Sequence, residues 1–280
     1  RANKLIPIEV SELGGAKLLY HDLFTNGILY LDIGFDLHTL PQELLPYVPL
    51  FGRALLETGT DAEDYVRLSQ RIGRSTGGVW TVPFTSFIRN AGQGAARLFL
   101  RSKAIPAQAG ELLSILDDVL RTARLDNQER LRQIALEEKA DKEAMLVPAG
   151  HSVVNTRLRS LFNEADWGAE QMGGVSQLFF LRELMQQIDH DWPAVQGRLE
   201  AMRRILLDRM NLVVNVTLDA DNWRTLQPLL GEFLAKLPEA GAAPAAWRPG
   251  PRPRYEGLTI PAQVNYVGKG ANLFELGYAA

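Results

Sequence analysis

The sequence predicts an α+β domain, an antiparallel sheet with helices packed on one face. Three observations lead there. From Gly27 to His38, Leu29, Leu31, Ile33, Phe35 and Leu37 alternate with Tyr30, Asp32, Gly34, Asp36 and His38. A period of two with one apolar set marks a sheet covered on one side. Short turns link the strand-like segments, as antiparallel neighbours allow. The order along the chain is strands, two helices, strands, several helices, strand, helix, which together with the short turns favours α+β.

Asn26-Gly27 is a turn dipeptide ahead of that first clear strand, and Lys17–His21 is its expected hairpin partner. A helix is expected from about Pro41, with Leu44, Val48, Phe51 and Leu55 as its apolar stripe and Gly59 as its stop. Thr60-Asp61-Ala62-Glu63 has the spacing of a capping box. The helix it would open turns Tyr65, Leu68 and Ile72 inward and ends at Gly73. Gly77-Gly78 is expected to allow a strand to lie close to a helix. Val79–Ile88 and Arg97–Ile105 read as strands joined by the loop Arg89–Ala96. Helices follow over Gly110–Ala123, Asn127–Met145, Thr156–Phe162, Val175–Ile188 and Trp192–Met210. Asn211–Asp219 returns to strand, and Trp223–Leu237 is a closing helix. Pro238–Pro253 is rich in Pro and Ala and reads as a stiff, extended connector. After it, Ile260, Ala262, Val264 and Tyr266 alternate as a strand would. The domain boundaries expected are 1–237, a linker at 238–256, and the first strands of a further domain at 257–280.

The composition narrows the function classes. The chain has 280 residues, 46% of them hydrophobic, with a formal net charge of −3. That charge gives no basic field to attract nucleic acid or an anionic membrane surface. No cysteine is present, which removes disulfides, thiol nucleophiles and cysteine metal sites. No apolar run is long enough to span a bilayer. Arg1 is not an initiator Met and the chain stops abruptly at Ala279-Ala280, so an excised piece of a longer protein is expected.

Motifs that would carry chemistry are sparse. The four histidines, His21, His38, His151 and His190, never fall three to five residues apart, so no local zinc pair exists. Surface or capping roles are expected for all four. In Asp189-His190-Asp191 the expected role is a helix junction, with Asp191 capping the helix that opens at Trp192-Pro193. Gly268-Lys269-Gly270 lacks the spacing of a phosphate loop and reads as a β-turn. The mixed charges of Glu129–Glu143 read as a solvated helix face with pairs four residues apart. Among Arg198, Arg203, Arg204 and Arg209, the acids Glu200 and Asp208 suggest ordinary surface pairing.

Four stretches, Leu23–Asp36, Leu40–Leu56, Leu68–Trp80 and Val264–Tyr278 (VNYVGKGANLFELGY), together resemble the non-catalytic C-terminal half of the presequence protease family. These are large zinc metallopeptidases of the pitrilysin-like inverzincin class, whose catalytic half carries His-x-x-Glu-His on a zinc helix. Aligned on the Gly59-Thr60 helix end, those three positions fall on Leu50, Arg53 and Ala54, none of them a zinc ligand. The resemblance implies four similar α+β domains in two halves around a closed peptide-degrading chamber, with this chain as the third domain, the linker Pro238–Pro253 and the first strand or two of the fourth. It places the zinc and its general base in the first domain, and a substrate-positioning Arg and Tyr beyond Tyr278. No catalytic, cofactor-binding or metal residue is therefore assigned in this chain. The implied partners are the catalytic N-terminal half and unfolded peptides, with no nucleic acid and no membrane. The implied compartment is the cytoplasm for a bacterial protein and the mitochondrial matrix or plastid for a eukaryotic one. The alternative is a stand-alone degenerate peptidase-like scaffold or interaction module.

Overall fold

The computed structural model describes residues 6–88, 94–250, 255–273 and 276–278. Among these, the strands are β1 (Glu9–Leu13), β2 (Ala16–Asp22), β3 (Leu29–Asp36), β4 (Val79–Ser86), β5 (Ala95–Ala104) and β6 (Leu212–Leu218). They form one sheet in the order β1-β2-β6-β3-β5-β4. The class is α+β, as the sequence predicts. Its sheet is mixed, because β2 runs parallel to β6 while every other pair is antiparallel. Lys17–His21 is thus a strand but not the hairpin partner of β3. The C-terminal β6 lies between them, with Val214 opposite both Leu18 and Ile33.

The alternation in β3 is the reason for the layering. Leu29, Leu31, Ile33 and Phe35 are buried with Leu98, Leu100, Val214 and Val216 beneath the helices. On the opposite face Asp32 pairs with Arg101, and Asp36 with Arg97, each across one ladder step. The helices are α1 (Val48–Glu57), α2 (Tyr65–Ser75), α3 (Ala109–Thr122), α4 (Gln128–Met145), α5 (Gly150–Arg159), α6 (Glu164–Gly173), α7 (Val175–His190), α8 (Trp192–Leu206) and α9 (Ala220–Ala235).

Several local expectations are corrected. The segment before α1 is a 3-10 turn, Gln42–Tyr47, carrying Pro46. The cap of α2 is Asp64, whose side chain accepts from the Arg67 N–H; Thr60 instead accepts from Ala62 and Glu63 within the preceding turn. Tyr65 is consequently exposed, whereas Leu68 is buried. Gly77-Gly78 faces a strand rather than a helix. The Gly77 N–H donates to the Lys103 carbonyl and the Lys103 N–H to Gly78, two residues against one as in a β-bulge. The strand β3 stops at Asp36, so His38 is not on its polar face. Helix α6 is not among the helices that the sequence predicts. Asp191 caps α8 as expected.

The described part of the Pro/Ala-rich segment, 238–250, has no helix or strand but is not a free tether. Asp208, fully buried, accepts from the backbone N–H groups of Ala240 (3.2 Å) and Ala242 (2.7 Å), from Met210 N–H, and from Asn211 Nδ2. Surface pairing is therefore not its role. Trp247 is buried and donates its indole N–H to the Leu40 carbonyl at 3.0 Å. Residues 251–254 of the expected linker, 89–93 of the expected loop, and 274–275 of the tail lie outside the described residues. No strand forms over Ile260–Tyr266. That segment instead packs on α5: the Tyr266 ring lies against Gly150, and its hydroxyl donates at 2.6 Å to the carbonyl of Val147, just before the helix. Gly268-Lys269-Gly270 does not form the expected β-turn. A Cβ on Gly268 would collide with Val154 Cγ1, so the glycine permits the close approach.

Candidate functional site

Helix α1, where the resemblance would put zinc ligands, opens with Pro49 in its first turn and closes at Thr58 before Gly59, whose φ is +83°. It lies close to β4, since a Cβ on Gly52 would fall 2.5 Å from Thr81 Oγ1. Leu50 and Ala54 are fully buried in the core. Arg53 is clamped. Its Nε and Nη2 each donate to Glu57 at 2.7 Å, and Nη2 reaches Glu137 on α4 at 2.6 Å. Arg130 donates to the same Glu57 carboxylate at 3.0 Å and to the Glu57 carbonyl. The bidentate bond to Glu57 raises the Arg53 guanidinium pKa, and Arg53 in turn holds the Glu137 carboxyl below the usual range. Zinc takes thiolate, neutral imidazole or free carboxylate donors. These positions offer two aliphatic side chains and a guanidinium whose nearby carboxylates are already neutralised, so they do not fit the metal. Among the described residues, no group of three or more His, Cys, Asp or Glu is placed to hold a metal ion.

Two clefts flank α1. The wider, about 730 Å³, runs between α1, α2 and the start of β4, with Tyr65, Trp80, Arg53 and Arg130 among its walls. Arg130 stacks over the Tyr65 ring at 4.7 Å. The narrower, about 450 Å³, is where α1, β4, α4, α6 and α7 converge, and Pro49, Pro83, Glu138, Lys142, Met172 and Gln177 line it. Burial pushes the Glu138 carboxyl up to about 7, against the pull of Arg53 and Lys142 and with the help of Glu57 and Asp141. Burial also pushes the Lys142 ammonium down, and its Nζ donates to the Gly173 carbonyl at 3.0 Å. Neither Glu138 Oε2 nor either amide atom of the fully buried Gln177 has a hydrogen-bond partner among the described residues.

Strand β4 is one edge of the sheet, and Trp80 and Phe84 on it are exposed. The register, with Lys103 bonded to Gly78, turns the nitrogens of Val79, Thr81, Pro83 and Thr85 outward. Pro83 has no N–H, so it interrupts the outward row of donors at its centre.

The histidines do not converge. His21 lies between the Pro7 carbonyl and Asn215. His190 ends α7, and His151 sits in the first turn of α5 near Tyr266. His38 departs from the expected surface role. It is buried, its Nε2 is 2.9 Å from Glu164, its Nδ1 is 3.4 Å from Asp36, and its ring stacks on Trp247 at 4.3 Å. Burial pulls the His38 pKa down, but its hydrogen bonds to Asp36 and Glu164 outweigh that and raise it. A raised folded-state pKa adds stability that is complete below the unfolded value of about 6.5 and disappears as pH rises through the folded value. The expected result is a urea midpoint that falls from pH 6 to pH 8.5, and falls less in His38→Gln.

The mixed-charge helix α4 is only partly the solvated face expected. Lys139–Glu143 is a pair four residues apart, but Arg132 bonds Asp189 and Arg182 bonds Glu143 across helices. Glu138 and Gln177 escaped the sequence reading. Glu138 and Lys142 continue the helical spacing of Leu131, Ile134 and Ala135, and that stripe was the available signal.

Residues 2–184 match the protein family described as associated with peptidase M16, subfamily C. The chain belongs to this family. This peptidase-associated chain is 38% identical over 274 residues to presequence protease 1, chloroplastic/mitochondrial, of Arabidopsis thaliana, covering 98% of this chain and 25% of that protein. It is 24% identical to protein HypA of Clostridium perfringens, covering 98% of this chain and 28% of HypA. The chain thus spans about a quarter of the length of these relatives. Its fold is similar to a crystal structure of a peptidase M16 inactive domain from Pseudomonas fluorescens (TM-score 0.57, 15% identity, 86% of this chain and 53% of that one). A conserved protein from Enterococcus faecalis is similar at TM-score 0.60 and 14% identity, over 85% of this chain and 54% of that one. The expected kinship with presequence proteases is borne out, and this is a peptidase-associated domain of presequence-protease type. No helix among the described residues is long and apolar enough to cross a membrane.

Proposed function

We propose that this domain is a non-catalytic wall of the substrate chamber in a peptide-degrading zinc metallopeptidase, and that it helps to position unfolded peptides. One observation carries the reading. In a fold shared with a solved inactive M16 domain, the helix that would bear zinc ligands holds Leu50, Ala54 and an Arg53 locked between Glu57 and Glu137. Freed from metal binding, α1 serves as core. The zinc belongs to the catalytic N-terminal half, which is the domain's partner together with the peptide. The compartment is the cytoplasm for a bacterial parent, and the mitochondrial matrix or plastid for a eukaryotic one. Unfolded peptides commonly bind by adding a strand to a sheet edge. The β4 edge is open to this on either side of Pro83, which favours a short pairing over a long ladder.

The test is peptide cleavage by the purified chain, by the catalytic half, and by the two combined. The expected result is no cleavage by the chain alone and a several-fold rise in the cleavage by the catalytic half when the chain is added. Cleavage by the chain alone, or no effect on the catalytic half, would sink the proposal; the latter would favour a scaffold role.

A further inference from the structure

We propose that the cleft where α1, β4, α4, α6 and α7 converge is a subsite for one basic side chain, an arginine or a lysine, of a peptide lying along the β4 edge. This rests on the chamber-wall reading and adds to it the chemistry of one peptide position.

The unpartnered atoms point to a cation. Glu138 Oε2 and Gln177 Oε1 are acceptors without donors, and Gln177 Nε2 is a donor without an acceptor. Buried polar atoms are ordinarily paired, and leaving them unpaired is costly. The fully buried Gln177 and Glu138 both line the cleft. The charges agree. Glu138, Asp141 and Lys142 all line the cleft, and the Lys142 ammonium donates to the Gly173 carbonyl. The guanidinium of Arg53 is taken by Glu57 and Glu137. An anionic guest would meet two carboxyl groups. A guanidinium or ammonium would give Glu138 and Gln177 their missing donors, and a peptide carbonyl could receive the Gln177 N–H. The apolar wall suits the stem of such a side chain, whose methylenes would lie on Pro49, Pro83 and Met172. Pro83 and Thr85 belong to both the cleft and the edge strand, so a peptide paired there passes the opening. The raised Glu138 pKa fits the same picture, because a bound cation would return that carboxyl to its ionised form.

The test uses the 280-residue chain and three probes: a short labelled peptide with one central Arg, its twin with neutral citrulline there, and free L-arginine. The Arg peptide is expected to bind about tenfold more tightly than the citrulline twin. Glu138→Gln, near-isosteric, should remove that preference. Gln177→Met should weaken the Arg peptide yet raise the melting temperature by about 2 °C or more, because it deletes a buried amide that has no partner. A purely structural glutamine would give a fall in melting temperature. Equal binding of the two peptides, a preference that survives in Glu138→Gln, or a less stable Gln177→Met would each overturn the proposal. Free L-arginine binding as tightly as the peptide would overturn the peptide as its source. Stimulation of the catalytic half is a separate readout. An effect there without Arg discrimination fails the subsite alone, and the reverse fails the chamber wall alone.

Discussion

Replacing Asp208 with alanine is expected to cost about 3–4 kcal/mol of stability, the largest loss from removing one polar side chain in this domain. The carboxylate is fully buried and accepts from three backbone N–H groups and the Asn211 amide. Two of those N–H groups belong to Ala240 and Ala242, more than thirty residues further along the chain. Truncation strands donors inside the protein, and each buried orphan costs about 1–3 kcal/mol. The sum is tempered because a released segment can rehydrate its own N–H groups. Burial alone would raise the Asp208 pKa, but the four donors outweigh it and lower it. The sign follows. Stability from a lowered carboxyl pKa is present above the unfolded value of about 3.9 and is lost as pH falls through the folded value. The gap in urea midpoint between wild type and Asp208→Ala should therefore be full at pH 7 and narrow in acid. Asp208→Asn keeps the shape and one acceptor oxygen and should lose less. A change below about 0.5 kcal/mol at pH 7, the range of an ordinary surface site, would mean that the 238–250 segment is not held by this carboxylate.

Much of the fold was legible because its signals are local. The alternation in Leu29–Phe35, the Asp191 cap and the helical stripes of α3, α7 and α8 follow from residue order alone. What was hidden depends on partners distant in sequence. The place of β6 between β2 and β3 is set by burying Val214 and Val216 on both sides, which no turn dipeptide can announce. Helix α6 was hidden because Gly168 and Gly173 lower its helix propensity. Its signal was there in Asn163, which caps it, and in the acids Glu164 and Asp166 of its first turn. The degenerate zinc positions were readable as residue types. Their electrostatic settlement was not, since Glu137 and Arg130 reach α1 from another helix. Likewise, composition described the Pro/Ala segment as extended, and only the tertiary structure shows that Asp208 and a buried pocket hold it.

Trp247→Ala is expected to cost about 3–5 kcal/mol, as truncating a buried tryptophan generally does, and to lower the melting temperature by about 10 °C. The indole packs against His38 at 4.3 Å and Trp167 at 5.9 Å, and its N–H satisfies the Leu40 carbonyl. Around it, Ala245 donates to the His38 carbonyl and Arg248 to Gln42. Truncation opens a cavity beside a histidine that needs its two carboxylate neighbours held in place, so the pH dependence assigned to His38 should flatten as well. The decisive measurement is the double variant Asp208→Ala, Trp247→Ala. If both side chains hold one docked segment, the first loss already frees most of what the second would free. The combined cost should then fall short of the sum by about 1 kcal/mol or more, a coupling typical of sites that share one structural element. Strict additivity would mean two independent local defects. In that case the segment is a surface strap with separate attachments, and it would not deliver the chain rigidly from the sheet domain to the residues lying on α5.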